Sequence, residues 1–147
     1  MKKILFVDDD NTRVAEFRKR NPGHDIVHAP NSLAAFNLLP STRFDMIFLD
    51  HDLGFDQKNG VDDTTIPIVK HIAANENEFL DCTIVIHSAN SIGVANMMSH
   101  LKYFNGSVNK IHWAWTIEGL VDSLNPDFSS PPEIDHSQSP NPYKAPE

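Results

Sequence analysis

The chain has 147 residues, a formal net charge of −8 at pH 7 and 40% apolar residues, the proportions of one globular domain that buries about two-thirds of its unfolded surface. The negative balance excludes a nucleic-acid duplex gripped by a basic face, which needs clustered Lys and Arg; a small phosphate ligand stays open. The single cysteine, Cys82, excludes an internal disulfide and, at a predicted strand start, reads as an inert thiol in a reducing compartment.

Met1-Lys2-Lys3 leads into only four apolar residues before three aspartates. That is unlike a secretory signal, and no apolar run reaches the length of a membrane span. The expectation is a cytoplasmic protein with no membrane partner.

Residues 3–7 (KILFV) form an unbroken apolar run, which predicts a strand buried on both faces of a parallel sheet. It runs into Asp8-Asp9-Asp10. Asn11 or Thr12 is placed to cap a helix carrying Val14 and Phe17, which stops before Asn21-Pro22-Gly23. Residues 25–29 are a second strand. Pro30-Asn31-Ser32 opens a helix with Leu33, Phe36, Leu38 and Leu39 inward, and Pro40 ends it. Residues 45–50 make the third strand, running into His51-Asp52.

From His51 to Asp63 the chain reads as a long polar loop, a length that in a compact domain points to function or mobility. A helix follows from about Thr64, with Pro67 tolerated in its first turn and Ile68, Val69, Ile72 and Ala73 on its apolar face. The fourth strand, 83–87, ends in His87-Ser88-Ala89-Asn90. Ser91 to Phe104 is a helix stopped by Asn105-Gly106. Lys110 to Trp115 reads as the fifth strand, with Trp113 and Trp115 packing under a last helix from Thr116 to Leu124.

This alternation predicts an α/β doubly wound fold, a five-stranded parallel sheet over residues 1–124. Residues 125–147 form a proline-rich tail with little structure of its own. Ligands of open α/β sheets sit beyond the carboxyl ends of the strands, so three strands ending in ionisable side chains converge on one site.

Asp9 and Asp50, with Asp8, could hold Mg²⁺ or Mn²⁺ through hard oxygen ligands, and such an ion would activate a bound water. His51 and His87 suit general base and general acid roles near neutral pH, with Asp50 and Asp52 completing the catalytic group. Without a metal, the two histidines could instead activate a ribose 2′-hydroxyl and protonate the leaving group. Ser91 to Gly93 opens a helix whose amides favour an anion. Ser88, Asn90 and Asn96 could add hydrogen bonds, and Arg13 could grip a phosphate.

VDDD after the first strand and LD after the third resemble the receiver domain of two-component response regulators over residues 1–124. The resemblance implies a flavodoxin-like strand order 2-1-3-4-5. It also implies a cation held by Asp9 (with Asp8 or Asp10) and Asp50, and phosphoryl acceptance at Asp50. Two departures stand out. The fourth strand ends in His87-Ser88-Ala89-Asn90, where a receiver has Ser or Thr and a small residue. Lys110 begins the predicted fifth strand, about 15 Å from the end where a receiver keeps its lysine.

The longer pattern FVDDDNTR, FLDHDLG and IHSANSIGVANM is similar to the cyclic-phosphate-processing receiver-like proteins of bacteria and their phages. The matching positions are Asp8 to Asp10, Arg13, Asp50 to Asp52, His87, Ser88, Asn90, Gly93 and Asn96. This resemblance implies a phosphoesterase opening a cyclic nucleotide or another cyclic phosphodiester signal, in a bacterial or phage-infected cell where phage and host conflict. Its partner would be that small nucleotide, and a homodimer is compatible with it. A non-catalytic sponge for the same nucleotide and a phospho-accepting module using Asp50 are the alternatives.

Overall fold

The computed structural model of the chain describes residues 1–124; the proline-rich tail expected at 125–147 lies outside them. The elements in order are β1 (Lys3–Val7), α1 (Asn11–Arg20), β2 (Asp25–Ala29), α2 (Ser32–Leu38), β3 (Met46–Leu49), β4 (Asp52–Asp56) and β5 (Val61–Thr64). They continue with α3 (Ile66–Ala74), α4 (Glu76–Phe79), β6 (Thr83–Ile86), α5 (Ser91–His100), β7 (Ser107–Lys110) and α6 (Leu120–Ser123). Five strands form a parallel sheet in the order β2-β1-β3-β6-β7, which is 2-1-3-4-5 among the sheet strands, as expected. No helix among the described residues is long and apolar enough to cross a membrane.

Strand side chains alternate between two apolar layers. Leu5, Val7, Ile47, Leu49, Ile84 and Ile86 meet Ala35, Ile68, Ile72 and Met97 from α2, α3 and α5. Ile4, Phe6, Met46, Phe48 and Val85 meet Val14 and Phe17 of α1 and Leu120 and Val121 of α6. Both faces of the central strands are therefore covered, which is why their sequences carry no polar alternation. Cys82 lies in the first layer, where burial pushes its thiol up to about 12. It is inert at neutral pH.

Five expectations need correction. The polar loop at 51–63 contains an antiparallel hairpin, β4 with β5. Its strands, DLGFD and VDDT, are mostly polar and exposed, so no apolar run marks them. Asp56 accepts from the amides of Lys58 and Asn59 and Gly60 takes a positive φ of 70°, which together close the turn.

The fifth strand is Ser107–Lys110, not 110–115. It is an edge strand with one fully buried side chain, Val108, so its apolar signal is weak. The Ile111, Trp113, Trp115 alternation instead belongs to a turn ending in a single 3₁₀ stretch, Ala114–Thr116. The last helix consequently starts later, after Gly119 at φ 68°. Finally, α1 is capped by Asp10, which accepts from the Thr12 and Arg13 amides, rather than by Asn11 or Thr12, and Leu33 of α2 is 67% exposed rather than inward.

Candidate active site

The sheet ladder runs one residue past each strand. Asp8 donates its amide to the Ala29 carbonyl, Asp50 to Val7, His87 to Leu49 and Ile111 to Ile86. These bonds fix Asp8, Asp50 and His87 side by side at the carboxyl edge. Carboxylate oxygens of Asp8, Asp9 and Asp50 all come within 4.8 Å of one another.

Asp8 is fully buried and surrounded by donors. Its carboxylate accepts from the Asp10 amide at 2.9 Å, Arg13 Nη1 at 3.3 Å and His87 Nε2 at 3.1 Å. Its carbonyl accepts from His28 Nε2 at 2.6 Å, which makes His28 a buttress of the site rather than a reactive group. Asp50 accepts from the His51 amide at 2.9 Å and from Arg13 Nη1 at 3.3 Å, and the Ser88 side chain also bonds to it.

Burial first, and then the charge of Asp8, push both Asp9 and Asp50 above the ordinary aspartate value of 3.8. Asp10 moves the other way, held down chiefly by the Thr12 hydroxyl.

Three crowded hard oxygens, two of them largely out of water, are a donor set that a divalent cation fits and whose mutual repulsion it would relieve. Arg13 meets part of that charge. Burial works against its guanidinium, but Asp8 and Asp50 raise its pKa further, and the group lies 5.0 Å above the Trp115 ring. Arg13 is ion-paired with Asp8, Asp10 and Asp50.

His87 corrects a larger expectation. Its side chain is 0% exposed, stacked on Phe6 at 4.8 Å and edge-on to Trp115 at 6.0 Å. Nε2 donates to Asp8, and Nδ1 is buried without a hydrogen-bond partner among the described residues. A ring sealed in this way does not reach a leaving oxygen. It positions Asp8.

His51 is the partly exposed histidine of the site, with 12% of its side chain open to solvent. Its Nδ1 lies 3.0 Å from Asp52 Oδ1. Asn90 Nδ2 lies 3.1 Å from Asp52 Oδ2 and 3.4 Å from His51 Nδ1. A carboxylate only accepts, so both donors point at Asp52, the proton of the neutral ring sits on Nδ1, and Nε2 is the basic nitrogen. Burial tends to raise the Asp52 pKa, but the bonds from Asn90 and His51 outweigh it and leave the carboxyl below its usual range.

Asn90 is also the cap of α5, its Oδ1 accepting from the Gly93 amide at 2.8 Å. The donor expected at Gly93 is thereby used internally. What Gly93 supplies is room: a Cβ there would fall 2.6 Å from His51 Cδ2 and 2.7 Å from Nδ1. Ser91 is exposed in the first turn of α5. Asn96 is exposed more than a turn further along and accepts through its carbonyl from Ser99.

Sequence reasoning misplaced Lys110 and read Trp115 as packing alone, whereas its ring also covers Arg13 and His87. Lys110 is the last residue of β7, opposite Ile86, so the supposed 15 Å displacement does not exist. It lines a cavity of about 320 Å³ together with Ser88, Ser91 and His112. The signal was there, since Ser107 to Lys110 is the only β-compatible stretch directly after the Asn105-Gly106 stop.

A 2-1-3-4-5 parallel sheet with buried aspartates at the ends of its first and third strands defines a receiver-like α/β domain. Solved structures similar to the chain are response-regulator receivers. A response regulator of Thermotoga maritima in complex with Mg²⁺-BeF is 22% identical, with a TM-score of 0.54, and the match covers 76% of this chain and 86% of that one. A Francisella receiver domain is 19% identical, with a TM-score of 0.54, covering 75% and 84%. A Burkholderia pseudomallei response regulator with a phosphorylated aspartic acid, calcium ion and citrate is 16% identical, with a TM-score of 0.55, covering 75% and 59%. No curated protein matches the chain. The chain belongs to the cyclic-phosphate processing receiver domain family, which matches residues 3–103.

Proposed function

We propose that the protein is a phosphoesterase that opens the cyclic phosphate of a nucleotide, with His51 as its proton-transfer group. The observation that carries this reading is the chain of contacts Asn90–Asp52–His51 beside Asp50, with the imidazole lodged against the bare backbone of Gly93. An oriented imidazole with a carboxylate on Nδ1 is what general acid–base catalysis requires.

In the reaction His51 Nε2 takes a proton from water as its oxygen bonds to phosphorus. One ring P–O ester bond breaks, and the released alkoxide receives the proton back from Nε2, leaving an open phosphomonoester. A Mg²⁺ or Mn²⁺ held by Asp8, Asp9 and Asp50 would neutralise phosphate charge when bound. With His87 sealed, the metal-free route using two histidines loses one of its groups, and this favours the metal-assisted route. Ser88 and His87 keep Asp50 and Asp8 oriented, and Ser91 offers a hydroxyl at the rim.

His51→Ala tests the reading. Turnover of a cyclic nucleotide should fall about 10²- to 10⁴-fold while the ligand still binds. Wild-type protein that binds the nucleotide and releases it intact would make the protein a sponge instead.

A second reading, phosphoryl acceptance at Asp50, gains from Lys110 ending β7 and from Ser88 on Asp50. Against it, both Asp50 oxygens are engaged by the His51 amide and Arg13. Incubation with acetyl phosphate should leave the mass of the protein unchanged. A stoichiometric, hydroxylamine-sensitive phosphoryl adduct would establish the second reading.

A further inference from the structure

We propose that the groove between the β4–β5 hairpin and the first turn of α2 holds the base of the nucleotide whose phosphate sits at the acidic cluster. This inference rests on the phosphoesterase reading and adds the place where the base of that nucleotide is held.

Strand β4 joins the two places. It begins at Asp52, which orients His51. It then passes Gly54, whose Cβ position lies 3.4 Å from Asp9 Oδ2, and reaches Phe55 in the groove wall. From Asp52 to Phe55 is about 10 Å of strand, the reach of one nucleoside from its phosphate. Gly54 has φ 89° and the ladder is irregular between Asp52 and Phe55. Such bulges re-aim the following side chains.

The groove is about 660 Å³, within the size of small-molecule sites. Leu33 and Phe36 of α2 face Leu53 and Phe55 of β4 across it, with Gln57 and Asn59 at the turn. Leu33 and Phe55 are 67% and 61% exposed, an apolar pair that the fold itself leaves uncovered. Two-stranded hairpins are marginal by themselves, yet this one is clamped. Asp63 of β5 accepts from the Ser32 amide at 2.9 Å and from the Ser32 hydroxyl at 2.6 Å, which holds the hairpin to α2. Apolar side chains including Phe36 and Phe55, with Asp56, Gln57, Lys58 and Asn59 at the turn, suit a base that stacks and offers hydrogen-bonding edges.

The test is calorimetric binding of a nucleoside monophosphate and of ribose 5-phosphate, which lacks the base, to wild type, Phe55→Ala and Leu33→Ala. The wild type should prefer the nucleoside monophosphate. Phe55→Ala should weaken that ligand about 10- to 100-fold and leave ribose 5-phosphate unchanged. Leu33→Ala, on a separate helix, reads the opposite wall should the first change loosen the hairpin. Equal affinity of wild type for the two ligands, or unchanged nucleotide affinity in both variants, would overturn the groove assignment. Phe55-dependent nucleotide binding by a wild type that opens no cyclic phosphate would uphold the groove and remove the phosphoesterase reading.

Discussion

Replacing Gly93 with alanine sets two effects of opposite sign against each other. Within a helix, alanine is favoured over glycine by about 1 kcal/mol, so the backbone of α5 gains. The new Cβ would stand 2.6 Å from His51 Cδ2, and an ordinary contact begins at 3.4 Å. Cγ of the ring stands closer still, so the ring must retreat by about 1 Å, and a misplacement of that size can cost roughly 10²-fold in rate. The displaced imidazole also loses its 3.0 Å contact with Asp52. Steady-state turnover of a cyclic nucleotide together with urea unfolding separates the two effects. We expect kcat to drop about 10²-fold while the unfolding midpoint stays level or rises slightly. The double variant Gly93→Ala/His51→Ala should be no slower than His51→Ala alone, because both changes remove one function. A Gly93→Ala protein with wild-type turnover would refute the placement of His51 as the reacting base.

Three further outcomes follow from the same geometry. His87→Ala removes a stacked, fully buried ring and the bond to Asp8, and should lower unfolding free energy by about 3 kcal/mol in urea titrations; an unchanged midpoint would contradict its structural role. Asp50 has a raised folded pKa, so the folded state holds more protons than the unfolded state just above 3.8. Stability contributed by this group is therefore lost as pH rises from 3.8 to the raised value. In metal-free buffer at pH 7, Asp50→Asn should unfold at a higher temperature than wild type, and the gap should vanish near pH 3; a lower melting temperature at pH 7 would reverse the sign. Added Mg²⁺ should raise the wild-type melting temperature and leave Asp50→Asn nearly unmoved, since the ion binds the folded carboxylates; an equal rise in both would place the ion elsewhere.

The central sheet was legible because its strands are buried on both faces. KILFV, MIFL and TIVI contain nothing but apolar side chains apart from Lys3 and Thr83, and no helix of that composition would fit such short runs. The acidic edge was legible for the same reason, since the first polar residue after such a run must sit at the carboxyl end. Polar or edge elements were not. β4 and β5 bury one apolar side chain in the core, Leu53, and otherwise rest on Gly54, Gly60, Asp56 and the Ser32–Asp63 clamp, and β7 buries fully only Val108. Misreading β7 moved Lys110 from one end of a strand to the other.

The site divided similarly. Asp8, Asp9 and Asp50 came from strand ends, but which histidine keeps some access to solvent depends on contacts between distant segments. The Gly93–His51 approach and the Trp115 cover over His87 and Arg13 leave no local trace in sequence. His51 and His87 look equivalent as strand-end imidazoles, and only the packing of Phe6 and Trp115 separates them.

The most direct measurement incubates the purified protein with a panel of cyclic mono-, di- and oligonucleotides, in Mn²⁺ or Mg²⁺ and in EDTA, and resolves the products by chromatography. At least one member should be converted to its ring-opened phosphomonoester with metal, EDTA should abolish the conversion, and restoring the ion should restore it. Recovery of every cyclic nucleotide intact in the presence of metal would contradict the phosphoesterase reading.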